Sequence, residues 1–388
     1  MQNTSHLKIK SIKATPLYLE FKEPYYWAQG TNRGTQMVLI ELESVDGTIG
    51  FGECFGAPNC EMTVRAYDAL RADLVGMDVC NISEIMAYCH QALFASQGPG
   101  NHRRLSLQVT AGLEMALWDV LGKANQTAVH KMLGGAQRDY IQYFGFAQGK
   151  GPAELAADAK HYVDAGHEVI YIKIGRGQKS DIDSVAAVRE AIGDSRLRAD
   201  ANENWDMLTA RRMIAALKPY NIEMIEQPVD SSSLAALSQL RNSVDTPIAA
   251  DQAVHTIQDI NSVGQANAAD LIVMGLHECG GILNFIKIAA VAEANGLNVC
   301  IHGNFETSIT TCAAHQAGLV IPNLDDANQI MGHFLKEDIV ESPNMAPIVG
   351  RLAAIDRPGL GFDLDTDAVA RAANAYIKLY PNEVSHHR

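Results

Sequence analysis

Six positions in the second half of the chain could share one reaction centre. Lys173 stands in the run YIKIG, Asp200 in RADAN, Glu226 in IEQP, Asp251 in AADQ and His302 in CIHG, while Gly275 holds the matching place in DLIVMG. They lie 27, 26, 25, 24 and 27 residues apart. Three carboxylates gathered on one rim repel one another and need a cation. All-oxygen ligation by few protein donors suits Mg²⁺, which leaves positions for water or substrate. A lysine beside a divalent cation has its pKa lowered and can serve as a neutral base near pH 7. With His302 on the far side of the rim, base, metal and acid suit removal of the weakly acidic proton α to a carboxylate. The metal would stabilise the charge that develops on the carboxylate oxygens.

These residues need a scaffold that presents strand ends at a constant interval. From about residue 138, short β-rich runs alternate with amphipathic helical segments such as IDSVAAVREAIG and ILNFIKIAAVAEANG. A period near 25 without sequence repetition is what successive βα units produce, and strands this apolar imply a parallel sheet covered by helices. Seven or eight such units predict a barrel, with catalytic side chains on the C-terminal rim; an open doubly wound sheet is the alternative. Before the barrel, residues 7–21 and 36–53 read as strands, the second containing an Asp46-Gly47 hairpin turn, and residues 61–134 as helical. The expected fold is α/β: a modified (β/α)₇β TIM-like barrel over 136–345, with an N-terminal α+β capping domain over 1–135 joined by a C-terminal return, 346–388.

Composition narrows the partners. The net charge of −14 argues against nucleic acid, which requires a basic footprint. No run approaches the roughly 18 apolar residues of a membrane span, and the N-terminus has no apolar signal core. The seven cysteines are scattered without a CxxC pair, so buried structural thiols and a cytoplasmic location are expected. A small-molecule carboxylate substrate and a homo-oligomeric assembly complete the expectation.

Several motifs in register make the chain resemble the enolase superfamily, in its mandelate racemase and muconate lactonizing enzyme branches. They are AGLEMALWDVLGK before the barrel, YIKIG, RADANENW, IEQP and AADQ at the ends of strands two to five, Gly280-Gly281 after strand six, and PGLGFDLD near the C-terminus. The resemblance implies Mg²⁺ on Asp200, Glu226 and Asp251, Lys173 as base, and Asn202 near the metal or substrate. His302 corresponds to the racemase-branch histidine of strand seven, with Glu306 keeping that branch's His-x-x-x-Glu spacing.

The departures matter as much. Tyr171 replaces the first lysine of the common Lys-x-Lys, and Gln252 stands where an acid commonly follows the metal ligand. Gly275 replaces the lysine or aspartate of strand six, so no partner for His302 is evident and nothing fixes its tautomer. His277, water or a tyrosine are alternative acids. Substrate contacts are expected from the capping loop 22–34, where Tyr25, Tyr26 and Trp27 offer aromatic walls and Gln29, Asn32 and Arg33 offer hydrogen bonds, and from residues 54–61; three aromatics in a row point to an apolar or ring-bearing portion of the substrate and away from a fully hydroxylated open-chain sugar acid. The favoured reaction is β-elimination from a hydroxylated or cyclic carboxylic acid, by a dehydratase or lactone-opening cycloisomerase. A racemase or epimerase using the same enolate comes second. A non-catalytic carboxylate-binding barrel is the reading from another class, and a two-metal hydrolase is disfavoured by the shortage of histidines.

Overall fold

The structure is a computed structural model and describes residues 7–56, 58–94 and 103–381. Strands β1 (Ile9–Trp27), β2 (Gly30–Ser44) and β3 (Ile49–Phe55) form an antiparallel sheet. The Asp46-Gly47 turn joins β2 to β3, with the Gly47 amide bonded to the Ser44 carbonyl. Residues 22–34, expected as a loop, are instead the far end of the β1–β2 hairpin. Pairing continues through Tyr25–Asn32 and Tyr26–Thr31 to Trp27–Gly30. Helices α1 (Cys60–Leu74), α2 (Ile82–Phe94), α3 (Arg103–Ala124) and α4 (Val129–Met132) complete this region.

The parallel sheet follows. After β4 (Tyr140–Gln142), the βα units run β5 (Gly145–Ala147), α5 (Pro152–Asp164), β6 (Val169–Lys173), α6 (Gln178–Ile192), β7 (Arg196–Asp200), α7 (Met207–Leu217) and β8 (Met224–Glu226). They continue with α8 (Leu234–Arg241), β9 (Ile248–Ala250), α9 (Ile257–Gln265), β10 (Leu271–Met274), the one-turn α10 (Leu276–Cys279), α11 (Ile282–Ala294), β11 (Asn298–Ile301) and α12 (Ser308–Gly318). Strands β5 to β11 pair in sequence order, each parallel to the next. The stretch 324–329, with parallel bridges at Leu324 and Asn328, closes the ring. It bonds to β11 through Asp325 N to Val299 O and Gln329 N to Ile301 O, and reaches the β5 side through Phe144 N to Asn328 O. Seven βα units and a closing strand-like segment are the expected (β/α)₇β barrel. The open doubly wound alternative is excluded.

Burial explains the texture of these strands. Every residue of β6 and of β8 to β10 is buried, as a strand covered on both faces requires, so apolar residues run on without alternation. Strands β12 (Val340–Ser342), β13 (Arg351–Ala353) and β14 (Asp363–Leu364) and helix α13 (Thr366–Leu379) end the chain; α13 packs back on β1.

Buried carboxylates of the N-terminal region dock it to the barrel. Glu53 on β3 accepts from the Thr307 and Thr310 amides and the Thr307 hydroxyl, capping α12. Glu114, within the AGLEMALWDVLGK stretch, accepts from Leu283 N at the start of α11. A side chain at Gly281 would overlap Glu114, which accounts for the glycine that ends the Gly-Gly turn. Six cysteines are buried as expected; Cys80, in a turn between α1 and α2, is exposed. Among the described residues no helix is long and apolar enough to cross a membrane.

Candidate active site

The strand ends deliver what their spacing promised. Lys173, Asp200 and Glu226 are the last residues of β6, β7 and β8 and pair side by side in register. Asp251 and His302 each follow the last residue of their strands, β9 and β11. Left-handed residues turn the chain away at the rim: Asn202 (φ 45°) after β7 and Gln227 (φ 32°) directly after Glu226. The Gln227 amide oxygen accepts from Asp251 N at 2.9 Å, and its nitrogen donates to Val229 O. That pair of bonds locks the β8 and β9 ends together.

On one flank the Lys173 ammonium donates to Asp200 Oδ2 at 2.5 Å, and the Tyr171 hydroxyl donates to the same oxygen at 2.8 Å. Asn202 N donates to Asp200 Oδ1 at 2.7 Å. Burial opposes a charge on Lys173, but Asp200, Tyr25 and Glu226 outweigh it and hold the ammonium well above its ordinary value. The lowered pKa expected from sequence is therefore not a property of the protein groups alone. It requires positive charge that competes for Asp200.

On the other flank the His302 ring is nearly buried, with Nδ1 3.0 Å from Glu278 Oε2 and 3.5 Å from Asp251 Oδ1. Burial disfavours the imidazolium, yet Asp251 and Glu278 raise it to about 10. Glu278 is held well below the carboxylate range: burial works against its charge, and His302, Arg104 and Asn304 overcome it. This carboxylate was not foreseen. It sits on α10, three residues beyond Gly275, and so returns to the same side of the chain one turn later. Gly275 has φ −107°, open to any residue, but a Cβ there would come within 2.6 Å of Glu278 Oε2 and 3.1 Å of His302 O. The Glu278 carboxylate occupies the space that a side chain at 275 would fill. The absence of an acid at 275 and the presence of one at 278 are a single feature, and the expectation that nothing fixes the His302 tautomer is corrected.

Between the flanks lies a cavity of about 150 Å³, lined by Lys173 and His302 together with Tyr25, Trp27, Arg104 and the amides of Gln29, Asn202, Gln252, Asn304 and Gln329, among others. Trp27 and Asn202 thus fall where substrate contacts were expected. Tyr26, Arg33, Tyr171 and Glu306 do not line it. Tyr26 lies against the Arg176 guanidinium, 5.5 Å from its ring centroid, and Arg33 is exposed at the tip of the hairpin. Tyr171 is buried beneath Asp200, and Glu306 turns back to accept from Asn304 N, bracing the His302 loop. His277 is also outside the cavity. Its Nε2 lies 3.0 Å from Thr310 Oγ1, and burial lowers its pKa to about 4. Arg104, Asn304 and Gln329 carry no periodic signal and were missed by sequence reasoning; for Glu278 the i, i+3 spacing from the vacant strand end was the available clue.

The residues fit a hard divalent cation. Glu226 Oε1, Asp251 Oδ2, Asn202 Oδ1 and Gln252 Oε1 are buried oxygens without a hydrogen-bond partner. Burial, then Asp200 and Asp251, push Glu226 well above the carboxylate range; burial, with Glu278 and Asp200, raises Asp251 to about 7. Crowded carboxylates forced toward neutrality are what a cation relieves. Among the described residues, the set whose ligand atoms already lie within 4.8 Å of one another is Asp251, Glu278 and His302, and not the three strand-end carboxylates. The reason is visible in the contacts: Lys173 holds Asp200 toward β6, while His302 draws Asp251 toward Glu278.

Comparison with known proteins agrees with this architecture. Residues 11–134 match the family model "Mandelate racemase / muconate lactonizing enzyme, N-terminal domain", and residues 154–368 match "Enolase C-terminal domain-like". The chain is 30% identical to a hydrophobic dipeptide epimerase of Enterococcus faecalis V583, over 80% of this chain and 87% of that protein. It is 29% identical to a D-galactarolactone cycloisomerase of Agrobacterium fabrum, over 94% and 98% respectively. A crystal structure of a dipeptide epimerase from Enterococcus faecalis V583, complexed with Mg and L-Leu-L-Tyr, superposes with a TM-score of 0.83 at 26% identity, covering 92% of this chain and 99% of that one. With its strand-end carboxylates, its capping region and both family models in register, the chain belongs to the mandelate racemase and muconate lactonizing enzyme branch of the enolase superfamily.

Proposed function

We propose that this protein removes the proton α to a carboxylate and then expels a β-oxygen from a hydroxylated or cyclic carboxylic acid, as a dehydratase or lactone-opening cycloisomerase. The observation that carries this reading is the pair of proton-bearing groups, Lys173 and His302, lining one cavity from opposite flanks with unpartnered carboxylate oxygens nearby. Asp200, Glu226 and Asp251 are the residues that would hold Mg²⁺, which when bound supplies positive charge beside the substrate carboxylate and competes with Lys173 for Asp200. Neutral Lys173 then takes the α-proton at Nζ. The electrons of that C–H bond form the new double bond, and the β C–O bond breaks. His302, its Nδ1 held by Glu278, gives a proton from Nε2 to the departing oxygen. The carboxylates beside it, Asp251 and Glu278, favour the protonated ring over the burial that opposes it, which leaves His302 a proton to donate.

Epimerisation by the same two residues is the second reading, supported by the similarity to a dipeptide epimerase. In it His302 would protonate the α-carbon instead. The preference for elimination is supported by the five amide residues in the lining, which suit hydroxyl groups, while Tyr25, Trp27, Phe305 and Met331 in the same lining leave room for an apolar portion of a substrate. The test is incubation of Mg²⁺-loaded protein in D₂O with sugar acids, their lactones, hydroxy acids and dipeptides, followed by mass spectrometry, with Lys173→Ala as control. Water loss or lactone opening that needs both metal and Lys173 supports elimination. Deuterium uptake with inversion and no loss of oxygen supports the epimerase. Silence across the panel, with metal bound, contradicts both for these substrate classes.

A further inference from the structure

The acid flank is not built by the barrel alone. Helix α3 of the N-terminal region begins at Arg103, and in its first turn the Arg104 guanidinium donates from Nη2 to Glu278 Oε1 at 2.9 Å. The same oxygen accepts from the Asn304 side-chain amide at 2.5 Å, on the loop that carries His302. The other oxygen, Oε2, faces His302 Nδ1 at 3.0 Å. Glu278 is thus saturated by three donors from three segments: a helix of the capping region, the His302 loop and His302 itself. Its side chain is only 4% exposed, and Arg104 also forms part of the cavity wall.

We infer that Arg104 and Glu278 are positioning residues, a relay through which the capping region sets the orientation of the His302 ring. The inference rests on the assignment of His302 as the acid. A carboxylate bonded by one oxygen to a histidine swings about its own side-chain torsions unless its second oxygen is fixed. Arg104 and Asn304 fix it, and of these only Arg104 comes from outside the barrel. Docking the first turn of α3 therefore completes the acid, whereas on the other flank Lys173 is held mainly by Asp200 of β7 inside the barrel, with Tyr25 of β1 beside it. The two halves of the reaction therefore differ in their dependence on Arg104: the Lys173–Asp200 bond that holds the base lies within the barrel, and protonation of the departing oxygen is conditional on Arg104.

The test needs no substrate for its first arm. In protein labelled with ¹⁵N-histidine, the His302 Nδ1–H resonance, identified by its loss in His302→Asn, should lie far downfield. It should move upfield in Glu278→Gln, broaden or move in Arg104→Ala, and recover in Arg104→Lys. An unchanged His302 resonance in a folded Arg104→Ala variant overturns the relay. In the second arm, with a substrate in hand, Arg104→Ala should lower elimination relative to α-proton exchange by roughly 10²-fold, the scale of a small misplacement of a reacting group. Equal loss of elimination and exchange, or of neither, also overturns it. A wild-type enzyme that neither exchanges nor eliminates refutes the proposed reaction instead, and leaves the first arm to judge the geometry. Should Arg104→Ala fail to fold, Arg104→Gln keeps most of the side chain while removing the guanidinium, and an unchanged His302 resonance in it overturns the relay as well.

Discussion

The two flanks of the site are built by different rules. On the Lys173 flank every functional group stands at the end of its strand, and adjacent strands pair those ends directly, Lys173 with Asp200 and Asp200 with Glu226. On the His302 flank the strand end is bare. The carboxylate that belongs beside the histidine arrives from a one-turn helix, fits because residue 275 has no side chain, and is held from another region by Arg104. A parallel barrel fixes direction and depth at its strand ends, so the first flank is rigid by construction. The second depends on Arg104 of the capping region for the fixing of its carboxylate.

The largest effect expected is on the first flank. Lys173→Ala should lower both α-proton exchange and turnover by roughly 10²–10⁴-fold, the usual worth of a positioned acid or base. His302→Asn should spare exchange; loss of both in both variants would erase the distinction between the flanks. Second, calorimetric titration should show Mg²⁺ binding weakened in Glu226→Gln by more than the roughly 10–100-fold that loss of a ligand's outer-shell partner costs, and largely kept in His302→Asn. The reverse result would put the metal on Asp251, Glu278 and His302 instead. Third, Gly275→Ala should displace Glu278 and reduce elimination to the level of Glu278→Gln, while Gly275→Asp combined with Glu278→Ala should recover part of it by placing the carboxylate at the strand end. No loss in Gly275→Ala would separate the glycine from the glutamate.

The smallest effect concerns the seam between cap and barrel. Burial raises Glu53 from its ordinary 4.5 to about 8, although Thr310 and Thr307 bond to it. A carboxyl whose folded value is raised binds more protons folded than unfolded between those values. Its contribution to stability is complete below about 4.5 and is lost as pH rises through about 8. Glu53→Gln keeps the shape and the capping bonds without the titration. Its melting temperature should therefore rise relative to wild type between pH 5 and 8; a constant difference would contradict the shift.

What the sequence made legible follows the same division. The period near 25 residues is enforced by the geometry of a βα unit, so spacing alone places Lys173, Asp200, Glu226, Asp251 and His302 on one rim. Glu278 could not, because a one-turn helix has no repeat of its own and its glutamate reads as an ordinary helical acid. Residues 22–34 were rich in turn-forming types, yet they extend a hairpin because Tyr25 buries its ring against Phe305, Phe334 and Phe146. Glu306 has the spacing of a catalytic partner but points into its own loop; spacing fixes the position of a Cα and leaves the side chain's direction to its neighbours. Arg104 acts across 174 residues of sequence, a separation at which no local pattern survives.

The central claim is that two opposed groups divide the reaction, and partitioning in D₂O tests it most directly. With Mg²⁺ and a turned-over substrate, His302→Asn should incorporate deuterium at the α-carbon without losing the β-oxygen, and Lys173→Ala should do neither. Elimination by His302→Asn at the wild-type rate, or exchange persisting in Lys173→Ala, would contradict the account.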